Sequence, residues 1–280
     1  MKRVVTIQDV SCFGKCSITV ALPIISAAGI ELTPLPNIVL STHTGGFVDI
    51  ARRDMDSFIC EAASQWESLG LEFDAIYIGY LGSGRQFEIV SDFISRFRRD
   101  NTIVVVDPVM GDGGKLYSGI TRDFPQKMAE LCSIADYIVP NITEAHLMLG
   151  KEQESFNNGP GGGVAMLDSL AAMGSKNVII TSIEDGAGNI GAAYRTMEGK
   201  TGFSMMRRQD GNSFHGAGDT FASCVVAALM NGKTLEDAID IAVKFTARAI
   251  AETVKAGTDL RFGLRFEPSL PYLIELINKA

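Results

Sequence analysis

The residues best suited by type and spacing to do chemistry lie late in the chain, at Gly216-Ala217-Gly218-Asp219-Thr220-Phe221. Small residues let an anion come close to the backbone. Where such a run opens a helix, the free N–H groups of the first turn and the positive end of the helix dipole face that anion. An aspartate there could accept a proton from an attacking hydroxyl while the N–H groups stabilise a phosphoryl group. The same six residues also read as an aspartate N-cap after a flexible turn.

Four further segments place polar residues directly after short apolar runs. In Val104-Val105-Val106-Asp107-Pro108-Val109-Met110-Gly111-Asp112 a strand ends on one carboxylate and a turn brings up another. Such a pair suits Mg²⁺ and its waters, or equally a turn whose aspartates cap backbone donors. In Ile138-Val139-Pro140-Asn141-Ile142-Thr143-Glu144, the three-residue spacing of Asn141 and Glu144 is that of a capping box. Read functionally, Glu144 is a second ligand for magnesium or its water and Asn141 a phosphate contact. On that reading Glu144→Gln lowers activity and barely moves the thermal midpoint. Leu40-Ser41-Thr42-His43-Thr44-Gly45-Gly46 is a polar loop suited to a polar aromatic ring, though a lone His43 supports no catalytic role. Ile78-Gly79-Tyr80-Leu81-Gly82-Ser83 ends a strand in an aromatic that could cover a flat ring or simply pack.

Positioning these groups calls for strands alternating with helices. Strands are expected at residues 4–10, 75–80, 102–109, 137–140 and 177–183, with helices at 52–69, 84–99 and 164–173. Strands nearly continuous in apolar residues indicate a mostly parallel sheet covered by helices on both faces, an α/β fold. In such sheets ligands bind beyond the carboxyl ends of the strands, where all five segments fall. Residues 189–196 and 201–208 read as an added edge hairpin, followed by helices at 217–231, 234–253 and near the end of the chain. Gly186-Ala187-Gly188-Asn189-Ile190-Gly191 matches a dinucleotide-binding pattern in letters, but a strand follows it, so it reads as a hairpin turn. Residues 157–163, rich in glycine, read as a loop before a helix, and the whole chain reads as one domain.

Composition narrows the partners. A net charge of −8 leaves no basic surplus for nucleic acid. The apolar run after Arg3 is too short for a signal peptide, and no stretch suits a membrane span. Five cysteines in no even framework suit reduced thiols in a cytoplasm, and three histidines make a zinc site a poor fit.

Taken in order, the segments from Ile7-Gln8 to Gly216-Ala217-Gly218-Asp219 resemble the pyridoxal (vitamin B6) kinases of the ribokinase-like superfamily. Asp-Pro-Val-Met, Pro-Asn-x-x-Glu and G-x-G-D are shared across that superfamily, whereas His43-Thr44-Gly45 and Gly79-Tyr80-Leu81-Gly82-Ser83 look specific to the B6 branch. The resemblance implies a single-domain fold without the lid of sugar kinases, usually homodimeric. It implies ATP as phosphoryl donor, a B6 vitamer as acceptor, and Mg²⁺, often with K⁺ beside it. Asp219 matches the catalytic base, and Gly216, Ala217 and Gly218 match the anion hole. Asp107, Asp112 and Glu144 match positions near the metal. Asn141, Thr181, Ser182 and Phe221 match the nucleotide side, while Thr44 and Tyr80, with His43, match the vitamer side.

Two residues depart from the pattern. Asp9 stands where many pyridoxal kinases carry serine, and His215 stands where a small apolar residue is common; both fall on the substrate side. A hydroxymethylpyrimidine kinase of the same fold is the nearest alternative, although that family usually has a cysteine-containing helix start where this chain has Gly218-Asp219. A B6-binding regulator without turnover is the alternative from a different class.

Overall fold

The computed structural model describes residues 1–150, 160–208 and 214–279. In chain order the elements are β1 (Arg3–Phe13), α1 (Ile18–Ala27), β2 (Glu31–Thr42), β3 (Arg52–Asp54), α2 (Asp56–Ser68), β4 (Ala75–Ile78), α3 (Gly84–Phe97) and β5 (Ile103–Val106). A small hairpin, β6 (Gly111–Asp112) and β7 (Lys115–Leu116), leads to α4 (Phe124–Ser133), β8 (Tyr137–Ile138), α5 (Ile142–Met148) and α6 (Pro160–Ala171). Then come β9 (Asn177–Glu184), β10 (Asn189–Arg195), β11 (Thr201–Arg207), α7 (Ala217–Met230), α8 (Leu235–Ala256) and α9 (Leu270–Lys279).

Among the described residues, nine strands form one sheet in the order β11-β10-β9-β8-β5-β4-β1-β2-β3. The six strands from β9 to β2 pair in parallel, while β10, β11 and β3 add antiparallel edges. The expected edge hairpin is therefore present, and the glycine-rich stretch before it is the tight β9–β10 connection.

Alternation explains the continuous apolar runs. Val104 and Val106 join a core with residues of α2 to α6, whereas Val105 and Tyr77 join a second core with α1, α7, α8 and α9. A strand buried on both faces has no polar side to show. The helices differ in kind. In α3 only one stripe is buried (Phe87, Val90, Phe93, Ile94 and Phe97), as for a surface helix. In α7 every residue from Thr220 to Ala228 is buried, and small side chains let it lie close to the sheet.

Three expectations need correction. The twelve-residue β2 is absent from the expected strands, and it carries two prolines, Pro34 and Pro36. They are tolerated because β3 pairs only with Ile38–Leu40, so no outer strand needs their missing N–H groups. Residues 52–54 begin no helix but form a short charged edge strand, a form that discourages edge-to-edge pairing. The glycine run is helical from Pro160 onward, with proline suited to a first helical turn; a Cβ on Gly163 would stand 3.3 Å from the Ile183 side chain, a close approach that a larger residue would crowd. Residues 157–159 of that expected loop lie outside the described residues. No helix among the described residues is long and apolar enough to cross a membrane.

Candidate active site

A cavity of about 690 Å³ opens at the carboxyl ends of the parallel strands, and every site residue singled out from the sequence lines it. Asp9 comes from β1, and His43 and Thr44 follow β2. Tyr80 follows β4, and Asp107 follows β5. Asp112 is on the β6–β7 hairpin, Asn141 and Glu144 open α5, and Thr181 and Ser182 lie on β9. His215 and the first turn of α7, with Phe221, complete the wall.

The helix start is built differently from an aspartate N-cap. Gly216 is the cap residue, left-handed at φ 76°, and Asp219 is the third helical residue. A Cβ on Gly216 would stand 2.3 Å from the Lys15 carbonyl oxygen, so only glycine fits there. A Cβ on Gly218 would meet nothing within 4 Å beyond its own turn of helix, so its bareness serves the cavity and not the packing. The Asp219 carboxylate accepts a hydrogen bond from the Ser17 backbone N–H, yet burial pushes its pKa up to about 7 with the nearby Asp9 charge adding to the shift.

Ser17 was not visible in sequence. Its backbone is strained (φ 54°, ψ −126°), it caps α1, and its side chain also bonds Asp9. Asp9 is 3% exposed and accepts from the Ser11 hydroxyl at 2.8 Å. Burial raises its pKa, against the pull of the Ser17 and Ser11 hydrogen bonds. The only sequence signal for this corner was Gly14, a turn residue directly after a strand's carboxyl end.

Gly14 and Gly45 are slots for histidines. A Cβ on Gly14 would lie 2.4 Å from the His43 ring, and one on Gly45 would lie 2.3 Å from the His215 ring. The two rings are in contact, 4.8 Å between centroids and tilted by 36°. The Gly45 N–H donates to His43 Nδ1 at 3.0 Å, so Nε2 carries the proton and donates to the Arg261 carbonyl at 2.6 Å. Burial lowers the pKa of His215, and the neighbouring His43 adds to this. His215 thus presents a neutral flat ring to the cavity, fixed from behind.

On the opposite side Ser182 is held at φ 63° where the β9–β10 register shifts, a bulge that turns the strand at the cavity wall. Thr181 bridges to Asn141. Arg207 and Arg208 also reach the cavity from the end of β11, and the sequence reading did not anticipate them.

The model of the phosphomethylpyrimidine kinase family matches residues 49–261, more than half of the chain. The chain belongs to that family. A Bacteroides thetaiotaomicron protein, provisionally assigned as a phosphomethylpyrimidine kinase and crystallised with pyridoxal, is 33% identical with a TM-score of 0.91, over 97% of this chain and 95% of its own. Pyridoxal kinase from Lactobacillus plantarum is 30% identical with a TM-score of 0.89, over 99% and 98%. A pyridoxine/pyridoxal/pyridoxamine kinase of Bordetella avium is 27% identical, over 89% of this chain and 85% of that protein. The phosphomethylpyrimidine kinase family is one of phosphotransferases, so the chain is a kinase.

In this kinase the capping-box reading of Asn141 and Glu144 holds. The Asn141 side chain accepts from the Glu144 N–H at 2.9 Å, and Glu144 Oε2 accepts from the Asn141 N–H at 2.9 Å. Glu144 Oε1 accepts from Met110 at 3.0 Å and from Gly111 at 3.5 Å. Burial raises the Glu144 pKa to about 8, although these three backbone donors pull the other way. The carboxylate therefore ties α5 to the segment after β5, and the expectation that Glu144→Gln leaves stability untouched is revised. A glutamine NH₂ would face at least one of these donors. We expect a loss of about 1–2 kcal/mol, read as a lower urea midpoint near pH 4, that shrinks toward pH 8 because glutamine also removes the cost of burying a carboxyl whose pKa rises on folding.

Proposed function

We propose that this kinase transfers the γ-phosphoryl group of ATP to the 5′-hydroxymethyl group of pyridoxal, pyridoxine or pyridoxamine. The observation that carries the reading is one cavity lined both by the Gly216-Ala217-Gly218-Asp219 turn and by His43, Thr44, Tyr80 and His215. The B6-kinase names and the pyridoxal in a 33% identical structure support it.

On this reading Asp219 takes the proton from the attacking hydroxyl, and its pKa of about 7 suits a base working near neutrality. The N–H groups of Gly216, Ala217 and Gly218 stabilise charge on the transferring group. Asn141, Thr181 and Ser182 hold the nucleotide phosphates, with Phe221 on the same side. Asp107, Asp112 and Glu144 would hold Mg²⁺ and its waters. The donor set fits that ion. Burial and the neighbouring Glu144 and Asp219 charges hold the Asp107 pKa well above its usual range, so a cation there would relieve carboxylates crowded together. Among the described residues no three ligating side chains converge on one point, so phosphates and water would have to supply most of the ion's ligands. Bound there, Mg²⁺ would neutralise phosphate charge.

Incubating the protein with Mg-ATP and each B6 vitamer, or with hydroxymethylpyrimidine, tests the reading. Turnover of the pyrimidine with no vitamer accepted would move the substrate to the one in the family's description. Gly218-Asp219, where that alternative usually has a cysteine-containing helix start, favours the vitamers.

Asp9 is expected to set vitamer preference. Its buried carboxylate suits a cationic amine or ring nitrogen, a charge-assisted contact worth about 1.5–3 kcal/mol. Asp9→Ser should therefore raise KM for pyridoxamine more than for pyridoxal. Equal effects on the two would show that Asp9 does not meet the group in which they differ.

A further inference from the structure

The loop between β4 and α3 is braced by two buried amides that stand outside the cavity. Its residue Tyr80 lines the cavity, and the next residue, Leu81, is fully buried. The backbone on both sides of Leu81 is held by side chains from other elements. Asn37 on β2 donates from Nδ2 to the Tyr80 carbonyl at 2.7 Å, and Gln86 on α3 accepts from the Gly82 N–H at 2.8 Å. The Gln86 NH₂ group donates to the Asn37 carbonyl at 3.1 Å and to Asp56 Oδ1 at 2.9 Å, so the two braces are joined. Gln86 and Asn37 are both 0% exposed, and neither lines the cavity.

Helix capping does not explain Gln86. It is the third residue of α3, where a glutamine ordinarily turns back to the N–H of the cap residue. Here the cap residue, Ser83, makes no side-chain cap hydrogen bond, and Gln86 accepts from the residue before it. Packing does not explain it either. An apolar side chain of the same length would hold α3 against its neighbours without burying an amide. What it could not do is fix the backbone around Leu81. Gly82 adds a further constraint, because a Cβ there would run into the Ile38 side chain, so the loop lies directly on β2.

We propose that Gln86 is a positioning residue for the ring-bearing acceptor: with Asn37 it fixes the backbone from Tyr80 to Gly82, and so sets where the Tyr80 ring stands in the cavity wall. Gln86 touches no substrate. The proposal rests on the reading of Tyr80 as part of the acceptor's wall, but not on which alcohol accepts the phosphoryl group.

The test is Gln86→Met, Tyr80→Ala and the double variant, with kcat, the KM values for acceptor and ATP, and melting curves measured on whichever alcohol the wild type phosphorylates. Methionine fills the space of glutamine but supplies neither its donors nor its acceptor. We expect Gln86→Met to raise the acceptor KM about five- to tenfold with the KM for ATP within about twofold of wild type. In the Tyr80→Ala background the same change should move the acceptor KM by less than about twofold, because no ring remains to be positioned. An amide that only stabilises the fold would lower the melting temperature and leave both KM values unchanged. That outcome, or an equal rise in acceptor KM with and without the Tyr80 ring, would overturn the proposal. So would a wild-type acceptor KM in Tyr80→Ala. If Gln86→Met does not fold, Gln86→Asn, which keeps the amide but withdraws it by one methylene group, is read by the same ratios. If no alcohol is phosphorylated, the functional reading fails first, and dissociation constants for pyridoxal and ATP replace the KM values; a wild type that binds no pyridoxal would overturn the proposal as well.

Discussion

Asp219→Asn is expected to cut kcat by about 10²–10⁴-fold while the affinity for ATP stays within about twofold, because a positioned base contributes that much and binds no nucleotide. Asparagine keeps the shape, and its carbonyl can still accept from the Ser17 N–H that now bonds the carboxylate. The effect on stability has the opposite sign. The aspartate pKa rises from 3.8 to about 7 on folding, mainly through burial. Below the lower value both states are protonated and folding costs nothing extra. As pH rises toward 7 the unfolded chain ionises first and the folded state loses stability; above 7 the cost is constant. That cost is about 4 kcal/mol at most, and solvent reaching the cavity reduces it to about 2 kcal/mol. The asparagine variant should therefore be more stable than wild type at pH 8 and indistinguishable from it near pH 4. Single-turnover kinetics and urea midpoints at the two pH values check both parts. The N-cap reading required a near-normal rate for asparagine and a weakened helix for alanine. With Gly216 as the cap residue, that reading has lost its structural basis. An asparagine variant with wild-type turnover would remove Asp219 from catalysis.

The central sheet was legible because its strands are buried on both faces, and that leaves a continuous apolar mark on the sequence. The second strand, β2, left no such mark. Its prolines carry a local signal, and only its place beside a short edge strand cancels that signal. The site shows the same division. Asp107, Asn141 and Asp219 follow strands or open helices, so position along the chain exposed them. Ser17, by contrast, matters through a strained backbone and contacts with Asp9 and Asp219, partners that only folding brings together. The contact of His43 with His215 likewise depends on two glycines in separate loops, and no spacing pattern in one sequence reports a ring fitting into the space left by a missing side chain.

The glycines of the α7 turn should separate packing from chemistry. Gly216→Ala is expected to damage both. Its left-handed φ of 76° costs an alanine about 1–2 kcal/mol, and the added methyl would stand 2.3 Å from a backbone oxygen that cannot swing away. The melting temperature should fall, and activity with it. Gly218→Ala should behave in the opposite sense for stability. Its methyl meets nothing within 4 Å beyond its own turn of helix, and alanine in a helical position is favoured over glycine by up to about 1 kcal/mol. The variant should melt at or above the wild-type temperature. Yet the open space belongs to the cavity wall that lies against Asp219, and a methyl there would hold a phosphoryl group away from the N–H groups of the turn. Displacement by about 1 Å is enough to cost about 10²-fold in rate. A Gly218→Ala protein that is at least as stable as wild type and about a hundredfold slower would locate the transferring group at this turn. If it is stable and fully active, the glycine serves only the flexibility of the chain, and the anion hole has to be sought elsewhere in the cavity.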